Sequence, residues 1–190
     1  MNFKLPIARS DIHIHLTSEH IETLFGKDYK LTNIKDLTIP GQFACLETVA
    51  VVGPQGRIEN VVVVGPARPY TQVEISRTNG LTLGVDAPLR LSGDIAGSPG
   101  IRIIGPAGEL QLSEGLIIAS RHIHMHDTDA RKLGIKNGEQ VSVRVPGPRG
   151  LIFNEVKIKS GPNEALEMHV DLDEGHAADI IDFQEVELII

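Results

Sequence analysis

Two matching stretches decide how this chain folds: SDIHIHL at residues 10–16 and SRHIHM at residues 120–125. Successive side chains of a β-strand point to opposite faces, so residues i and i+2 share one face. Each stretch therefore predicts a strand that directs two imidazoles to the same side. Because the two His-x-His pairs lie in similar apolar frames, we expect two pseudo-equivalent halves that combine their histidines at a shared metal site.

The composition excludes several classes of protein. The 190 residues suit one domain or two small ones, and the net charge of −7 argues against general nucleic-acid binding, which needs clustered Lys and Arg. No apolar run is long enough to span a membrane, and the N-terminus lacks the features of a secretory signal. The single cysteine, Cys45, rules out an intramolecular disulfide and favours a reducing cytoplasm. Within the apolar run FACL we expect it to be a buried structural thiol rather than a nucleophile.

Short β-branched runs separated by Gly and Pro predict a mainly β fold with three hairpins. The hairpins are expected at residues 48–64, 101–112 and 141–158, each around a Gly-Pro-x-Gly turn. In such turns Pro restricts φ and Gly supplies φ > 0, so we interpret these repeats as turn chemistry without a binding role.

Two short helices are predicted, each directly after a His-x-His strand. They cover residues 19–25 and 129–133, with Gly26 and Gly134 as stops. The candidate N-caps are Thr17 or Ser18 for the first helix and Asp127 or Thr128 for the second. The repeated order of strand, helix and hairpins predicts two small tandem β-barrels with the active site between them. A Gly-rich boundary places them at residues 1–92 and 93–190, and an exchange of segments between the barrels stays open.

Imidazole ligands suit zinc and other late first-row metals, including cobalt and nickel. The two His-x-His strands supply four candidate ligands: His13, His15, His122 and His124. A further apolar stretch, ALEMHVD at residues 165–171, adds His169 as a fifth candidate. The alternatives are surface histidines for the pairs and a half-buried strand histidine for His169. We expect His20, His126 and His176 to be solvated.

A carboxylate can complete such a site because it offsets the charge of two metals. Glu74 is the best candidate, since the apolar frame Val-Glu-Ile makes an unpaired charge costly. Arg68 and Arg77 lie nearby in the sequence, and an arginine beside metals can bind phosphate or a developing oxyanion. The alternative for both arginines is ordinary surface charge.

Together these motifs resemble the PduL-type phosphotransacylases, the phosphate propanoyltransferase family. The resemblance covers almost the whole chain. It rests on the order of the following segments: 10–16, 41–44, 47–49, 65–68, 72–77, 83–84, 87–88, 92–94, 97–100, 121–125 and 166–169.

The resemblance implies an enzyme that reversibly converts a short-chain acyl-CoA and phosphate to acyl phosphate and free coenzyme A. Propanoyl-CoA or acetyl-CoA would be the substrate, in propanediol degradation or in general metabolism. It also implies a homodimer with two zinc ions per chain, and no nucleic-acid or membrane partner. The implied metal ligands are His13, His15, Glu74, His122, His124 and His169. Arg68 is the implied catalytic and phosphate-binding residue, and Ser10 and Lys35 are implied contacts to coenzyme A.

The chain departs from the family pattern at two residues. Ile12 stands where arginine commonly precedes the first histidine, and His176 stands where a small amide is expected. Family members housed in microcompartments carry an N-terminal helical extension, for which this sequence shows no room ahead of Ser10. We therefore expect a freely cytoplasmic enzyme.

Direct acyl transfer is favoured over an acyl-enzyme, because the sequence shows neither a Ser-His-Asp arrangement nor a strong nucleophilic cysteine context. Two other classes stay open. A metal-dependent hydrolase could use the same histidines with water as the nucleophile. A non-catalytic metal-binding or shell-associated module could retain the fold without the reaction.

Overall fold

A computed structural model describes residues 3–189 of the chain. Two compact units are present. One contains the chain up to Asp11, the segment Thr38–Pro40 and the chain from Ser120 onward, and the other contains Ile12–Leu37 and Gly41–Ala119. The predicted boundary between residues 92 and 93 falls inside the second unit, so the division into residues 1–92 and 93–190 stays a prediction about domains.

The described residues form mainly strands, with four short helices. The strands are β1 Phe3–Ser10, β2 His13–His15, β3 Asn33–Asp36, β4 Phe43–Val52, β5 Arg57–Gly65, β6 Gln72–Ile75, β7 Leu89–Arg90, β8 Arg102–Ile104, β9 Glu109–Gln111, β10 Leu116–Ala119, β11 His122–His126, β12 Gln140–Val145, β13 Leu151–Gly161, β14 Glu167–Asp171 and β15 Glu185–Ile189. The helices are α1 Ser18–Phe25, α2 Arg77–Leu83, α3 Asp127–Leu133 and α4 Leu172–Ala177. The predicted mainly β class is confirmed.

The unit that holds both chain ends contains a closed barrel. Its order among the described strands is β1-β14-β11-β13-β12-β15, with β15 returning to β1. Strand β11 pairs parallel to β13 on one side and antiparallel to β14 on the other. Alternate residues of β11 and β14 fill the apolar core, namely Ile123, Met125, Met168 and Val170. The histidines of these strands therefore lie on the face opposite the core.

The other unit contains a curled sheet that forms a half-barrel. The described strands follow the order β7-β10-β6-β2-β5-β4-β8-β9, and β3 pairs with β4. Strand β2 again has a parallel neighbour, β5, and an antiparallel neighbour, β6. Its core again takes alternate residues, with Ile14 and Leu16 from the first His-x-His segment and Val73 and Ile75 from β6. The same alternation turns the imidazoles of β2 away from this core.

Cys45 belongs to the core of the half-barrel unit and is 1% exposed. Burial raises the pKa of its thiol to about 11, which keeps the thiol protonated and unreactive at neutral pH. The predicted structural cysteine is thus confirmed.

The helices follow the strands that carry the candidate ligands. Thr17 caps α1 by accepting from the backbone of His20, and Gly26 ends that helix, as predicted. The predicted N-caps of α3 are wrong, because His126 takes this position and its Nδ1 accepts from the Thr128 backbone at 3.2 Å. Helices α2 and α4 were not predicted from the sequence. Each follows a second ligand strand, β6 or β14, and begins with a capping box.

All three predicted hairpins are present within the described residues, as β4–β5, β8–β9 and β12–β13. Within residues 3–189, no helix is both long enough and apolar enough to cross a membrane.

Candidate metal centres and substrate site

The first cluster of candidate ligands, which we call the His13 triad, consists of His13, His15 and Glu74. Strands β2 and β6 pair with His13 directly opposite Glu74, which brings both histidines to one carboxylate. The Nε2 atoms of His13 and His15 lie 3.8 Å and 3.7 Å from the Glu74 oxygens. One donor atom from each residue falls within 4.8 Å of the others. The register of a single strand pair thus assembles the whole cluster.

The environment of His15 keeps its imidazole neutral. The residue is 2% exposed, and its Nδ1 lies 3.0 Å from the Val64 carbonyl, to which a protonated Nδ1 donates. Burial, followed by the charges of His13 and Arg68, lowers the pKa of His15 to about 3. A neutral imidazole with its second nitrogen fixed by a carbonyl is the form that ligates a metal.

A polar network connects Glu74 to Arg68 within the same unit. The Gln72 amide nitrogen donates to Glu74 Oε1 at 2.6 Å and to Ser92 Oγ at 2.9 Å. The Arg68 guanidinium donates to Gln42 Oε1 at 3.1 Å and approaches Ser92 Oγ at 3.5 Å. The backbone N–H of Arg68 donates to the carbonyl of Leu16, which fixes Arg68 at the end of the His-x-His segment. The Arg68 guanidinium, whose hydrogen-bond partners are neutral, therefore lies beside the cluster of His13, His15 and Glu74.

The second cluster, the His122 triad, consists of His122, His124 and His169. Strands β11 and β14 pair with His122 opposite His169, as His13 is opposite Glu74 in the other unit. Donor atoms of the three residues lie within 4.8 Å of one another, and the Nε2 atoms of His122 and His124 are 2.9 Å apart. Two imidazole nitrogens at that distance need a shared proton or a cation between them.

The outer nitrogens of this triad have oxygen partners. His122 Nδ1 lies 2.8 Å from the Ser120 carbonyl, and His124 Nδ1 lies 2.6 Å from Glu164 Oε2. His169 Nε2 lies 2.6 Å from Glu167 Oε2. Each such contact, with the imidazole N–H as donor, leaves the opposite ring nitrogen to serve as a ligand.

Both triads suit a late first-row metal ion. Tetrahedral zinc with Zn–N bonds near 2.0 Å separates its ligand atoms by about 3.3 Å, a spacing that small side-chain shifts produce from the observed clusters. The residues are mostly buried, and their imidazole and carboxylate donors are the types that zinc, cobalt and nickel accept. The donor set therefore fits the predicted metals.

The remaining predicted site residues lie at different places. Ser10 ends β1, and Lys35 is exposed on β3, so their contacts to coenzyme A stay predictions. Arg77 is on α2 and pairs with exposed Asp86 at 2.7 Å, which confirms the surface interpretation for this arginine. His176 is exposed on the last turn of α4.

Sequence reasoning missed the polar residues that surround the ligands. Gln72 and Glu167 each stand two residues before a ligand on the same strand, so the strand alternation that identified the histidines could have found them. Glu164, Ser92 and Gln42 lie in loops, and no periodicity of the sequence connects them to the triads.

The chain is similar to known proteins over most of its length. A family model described as phosphate propanoyltransferase matches residues 6–181. The phosphate propanoyltransferase of Thermotoga maritima is 55% identical over 173 residues, covering 90% of this chain and 82% of the relative. The proteins of the same name from Salmonella typhimurium and Listeria monocytogenes are 49% and 48% identical, covering 92% and 90% of this chain and 83% and 80% of the relatives. These matches confirm the resemblance, and the chain belongs to the phosphate propanoyltransferase family.

Proposed function

We propose that this chain transfers a propanoyl group between coenzyme A and phosphate, with two metal ions held by the His13 and His122 triads. As a member of its family the chain is an acyltransferase enzyme. One observation carries the proposal: Arg68, with amide and hydroxyl partners, stands beside a buried cluster of candidate ligands. Zinc is the proposed metal, and acetyl-CoA is a second proposed substrate.

Arg68 is the residue proposed to bind phosphate. Its guanidinium presents planar donors that match two oxygens of a phosphate, and such charge-assisted pairs are stronger than bonds to neutral groups. Gln42 and Ser92 hold this side chain by neutral acceptors, which phosphate can replace without breaking an ion pair. The Leu16 carbonyl fixes the backbone at Arg68, so the position of the cation is set before substrate arrives.

The proposed reaction is direct. A phosphate oxygen forms a bond to the thioester carbonyl carbon, the carbon–sulfur bond breaks, and coenzyme A leaves as the thiolate. When bound, the metals would supply Lewis-acid polarisation and charge stabilisation. Arg68 orients the attacking oxygen and offsets the negative charge that develops on the acyl oxygen. Buried Cys45, with its raised thiol pKa, is unsuited to forming an acyl-enzyme.

Further parts of the proposal concern binding partners and location. Ser10 and Lys35 are proposed to contact coenzyme A. A homodimer in the cytoplasm and a role in propanediol degradation complete the proposal. A search for acyl groups covalently attached to the protein during turnover, by mass spectrometry, tests direct transfer, and a trapped acyl adduct would contradict it.

The decisive experiment measures release of free thiol from propanoyl-CoA and acetyl-CoA with and without phosphate, using metal-loaded and chelated protein. We expect thiol release to require both phosphate and metal. His122→Ala should abolish activity with loss of the metal of the His122 triad. Arg68→Ala should lower kcat/KM by at least about 100-fold with metal retained, since it removes a donor to the reacting oxygens.

Arg77→Ala is the matched control, because Arg77 pairs on the surface with Asp86 and should leave the rate unchanged. Thiol release that ignores phosphate would identify a metal-dependent hydrolase instead. Metal binding without thiol release would identify a non-catalytic module.

A further inference from the structure

The two triads share one strand arrangement but differ in their third ligand. His13 faces Glu74 across β2 and β6, and His122 faces His169 across β11 and β14. The next pair of each register, two residues along, joins His15 with Gln72 and His124 with Glu167. Gln72 and Glu167 therefore occupy equivalent positions, each two residues before a third ligand and on the same face of its strand.

Gln72 is fully buried and uses its amide at both ends. Its nitrogen donates to Glu74 Oε1 and Ser92 Oγ, and its oxygen accepts from the backbone N–H of Gly93 at 2.7 Å. An amide nitrogen has two hydrogens, so both donations can be made at once. The side chain thereby fixes Glu74, the third candidate ligand of the His13 triad, by donating a hydrogen bond to it.

Glu167 is 4% exposed and contacts His169, the third candidate ligand of the other triad. Here the positioning side chain accepts the hydrogen bond, whereas Gln72 donates one. Glu167 Oε2 lies 2.6 Å from His169 Nε2, and its Oε1 accepts from the Thr38 hydroxyl at 2.9 Å. A carboxylate in this place can accept the imidazole N–H, as carboxylates do beside many metal-bound histidines.

We propose that Gln72 and Glu167 are matched positioning residues. In each triad, the chemistry of the third ligand determines whether the positioning residue is a hydrogen-bond donor or an acceptor. A ligating carboxylate needs a donor behind it, which an amide supplies. A ligating imidazole needs an acceptor behind it, which a carboxylate supplies, and acceptance at Nε2 leaves Nδ1 of His169 to coordinate. This inference rests on the proposed metal centres.

The pairing also distributes charge differently in the two triads. The His13 triad carries its negative charge on a ligand, Glu74, whose oxygen Gln72 stabilises without adding charge. The His122 triad has three imidazole ligands. Its negative charges lie on Glu167 and Glu164, whose carboxylates contact the imidazoles of His169 and His124. Each buried metal would thus have nearby anionic charge, which lowers the cost of burying a dication.

The first test measures zinc affinity of one triad at a time by competition with a chelator of known affinity. In a His13→Ala background, which leaves the His122 triad, Glu167→Gln should weaken zinc binding by about 10–100-fold. Glu185→Gln, which alters an exposed carboxylate paired with Lys4, is the control and should leave affinity unchanged. Unchanged affinity in Glu167→Gln overturns the proposal. If the His13→Ala protein binds no zinc at all, the metal centre itself is refuted, and the positioning role with it.

The second test exchanges the chemistry of the two sites. In a His122→Ala background, Gln72→Glu should weaken zinc binding at the His13 triad by about 10–100-fold, because two carboxylates then face each other. Adding Glu74→His recreates the pairing of the other unit and should recover at least tenfold of that loss. A double variant that binds no better than Gln72→Glu overturns the matching rule.

The third test reads the protein without substitutions, and one variant serves only to assign the signals. Long-range proton–nitrogen NMR correlations of metal-free protein labelled with ¹⁵N-histidine report which ring nitrogen carries the proton, with His169→Gln used for assignment. We expect His169 to be protonated at Nε2 and not at Nδ1. A neutral ring with the proton on Nδ1 overturns the role of Glu167.

Discussion

At the residue scale, Glu47 shows how a buried charge can be structural. This residue of β4 is 6% exposed, and its carboxylate accepts from Tyr29 Oη at 2.9 Å and from the Thr32 backbone at 3.0 Å. Burial alone would raise the pKa of Glu47, but the donors from Thr32 and Tyr29 outweigh it, and the pKa lies below its usual value. Glu47 thus holds the segment between α1 and β3 against β4 by hydrogen bonds.

Because the pKa of Glu47 is lowered on folding, its carboxylate contributes stability above the unfolded-state pKa near 4.3 and loses that contribution as the pH falls through the folded value. Glu47→Gln should therefore lower the free energy of unfolding by about 1–3 kcal/mol at pH 7, with a smaller difference below about pH 4. Urea unfolding across pH measures this. Exposed Glu59→Gln is the control, and a Glu47→Gln difference that grows toward acid would contradict the assignment.

Ile12 and Arg121 precede the first histidine of their strands and have different surroundings. Arg121, at the corresponding place before His122, pairs with Glu174, the third residue of α4. The third residue of α2 is the neutral Asn79, and Ile12 packs against the apolar core of its own unit. The half that carries Ile12 thus has a neutral amide at the helix position where the other half has the carboxylate that pairs with Arg121.

At the element scale, the Gly-Pro-x-Gly turns do more than reverse the chain. In the turn after β4, the Gln55 backbone N–H donates to the Leu83 carbonyl at the end of α2. In the turn after β8, the Ala107 backbone N–H donates to the Leu24 carbonyl near the end of α1. Both turns therefore supply donors to helix carbonyls that have no partner within the helix. The interpretation as turns is confirmed, and two of these turns also bond to a helix end.

This docking requires glycine at the first turn position. A Cβ on Gly53 would lie 2.2 Å from the Leu83 carbonyl oxygen, so the turn would have to move off the helix end. Gly53→Ala should lower the free energy of unfolding by about 1–3 kcal/mol, measured by urea denaturation. The neighbouring Pro54→Ala changes an exposed side chain and should cost less than about 1 kcal/mol. Equal effects for the two variants would argue against the docking.

At the scale of the whole molecule, each proposed metal would join segments that are distant in the chain. The His122 triad links β11 to β14, and the His13 triad links β2 to β6. Since an unfolded chain does not hold these groups together, metal affinity contributes directly to folding stability.

Zinc should therefore raise the melting temperature. Free zinc at 100 times the Kd adds about 2.7 kcal/mol to the free energy of unfolding for each site. Calorimetry with zinc and with a chelator measures the shift. The protein carrying both His13→Ala and His122→Ala is the control and should melt at one temperature under both conditions. A wild-type melting temperature that ignores zinc would contradict both metal centres.

The sequence by itself determined the features that depend on near neighbours. The two His-x-His strands, the cap of α1 and the three hairpins follow from side-chain alternation, capping and turn propensity, which operate over a few residues. Strand alternation also predicts that Gln72 shares a face with Glu74 and Glu167 with His169. The family resemblance, carried by the order of motifs, indicated all six candidate ligands together.

Only the tertiary structure decided which distant segments meet. The pairing of β2 with β6 brings Glu74 opposite His13, and the pairing of β11 with β14 brings His169 opposite His122. Likewise, β1 joins the barrel of the C-terminal strands, while the other sheet stays a half-barrel. Loop residue Glu164 reaches His124 by the same kind of long-range contact. Strand partners are chosen by burial and hydrogen bonding across the fold, and a local pattern carries no record of that choice.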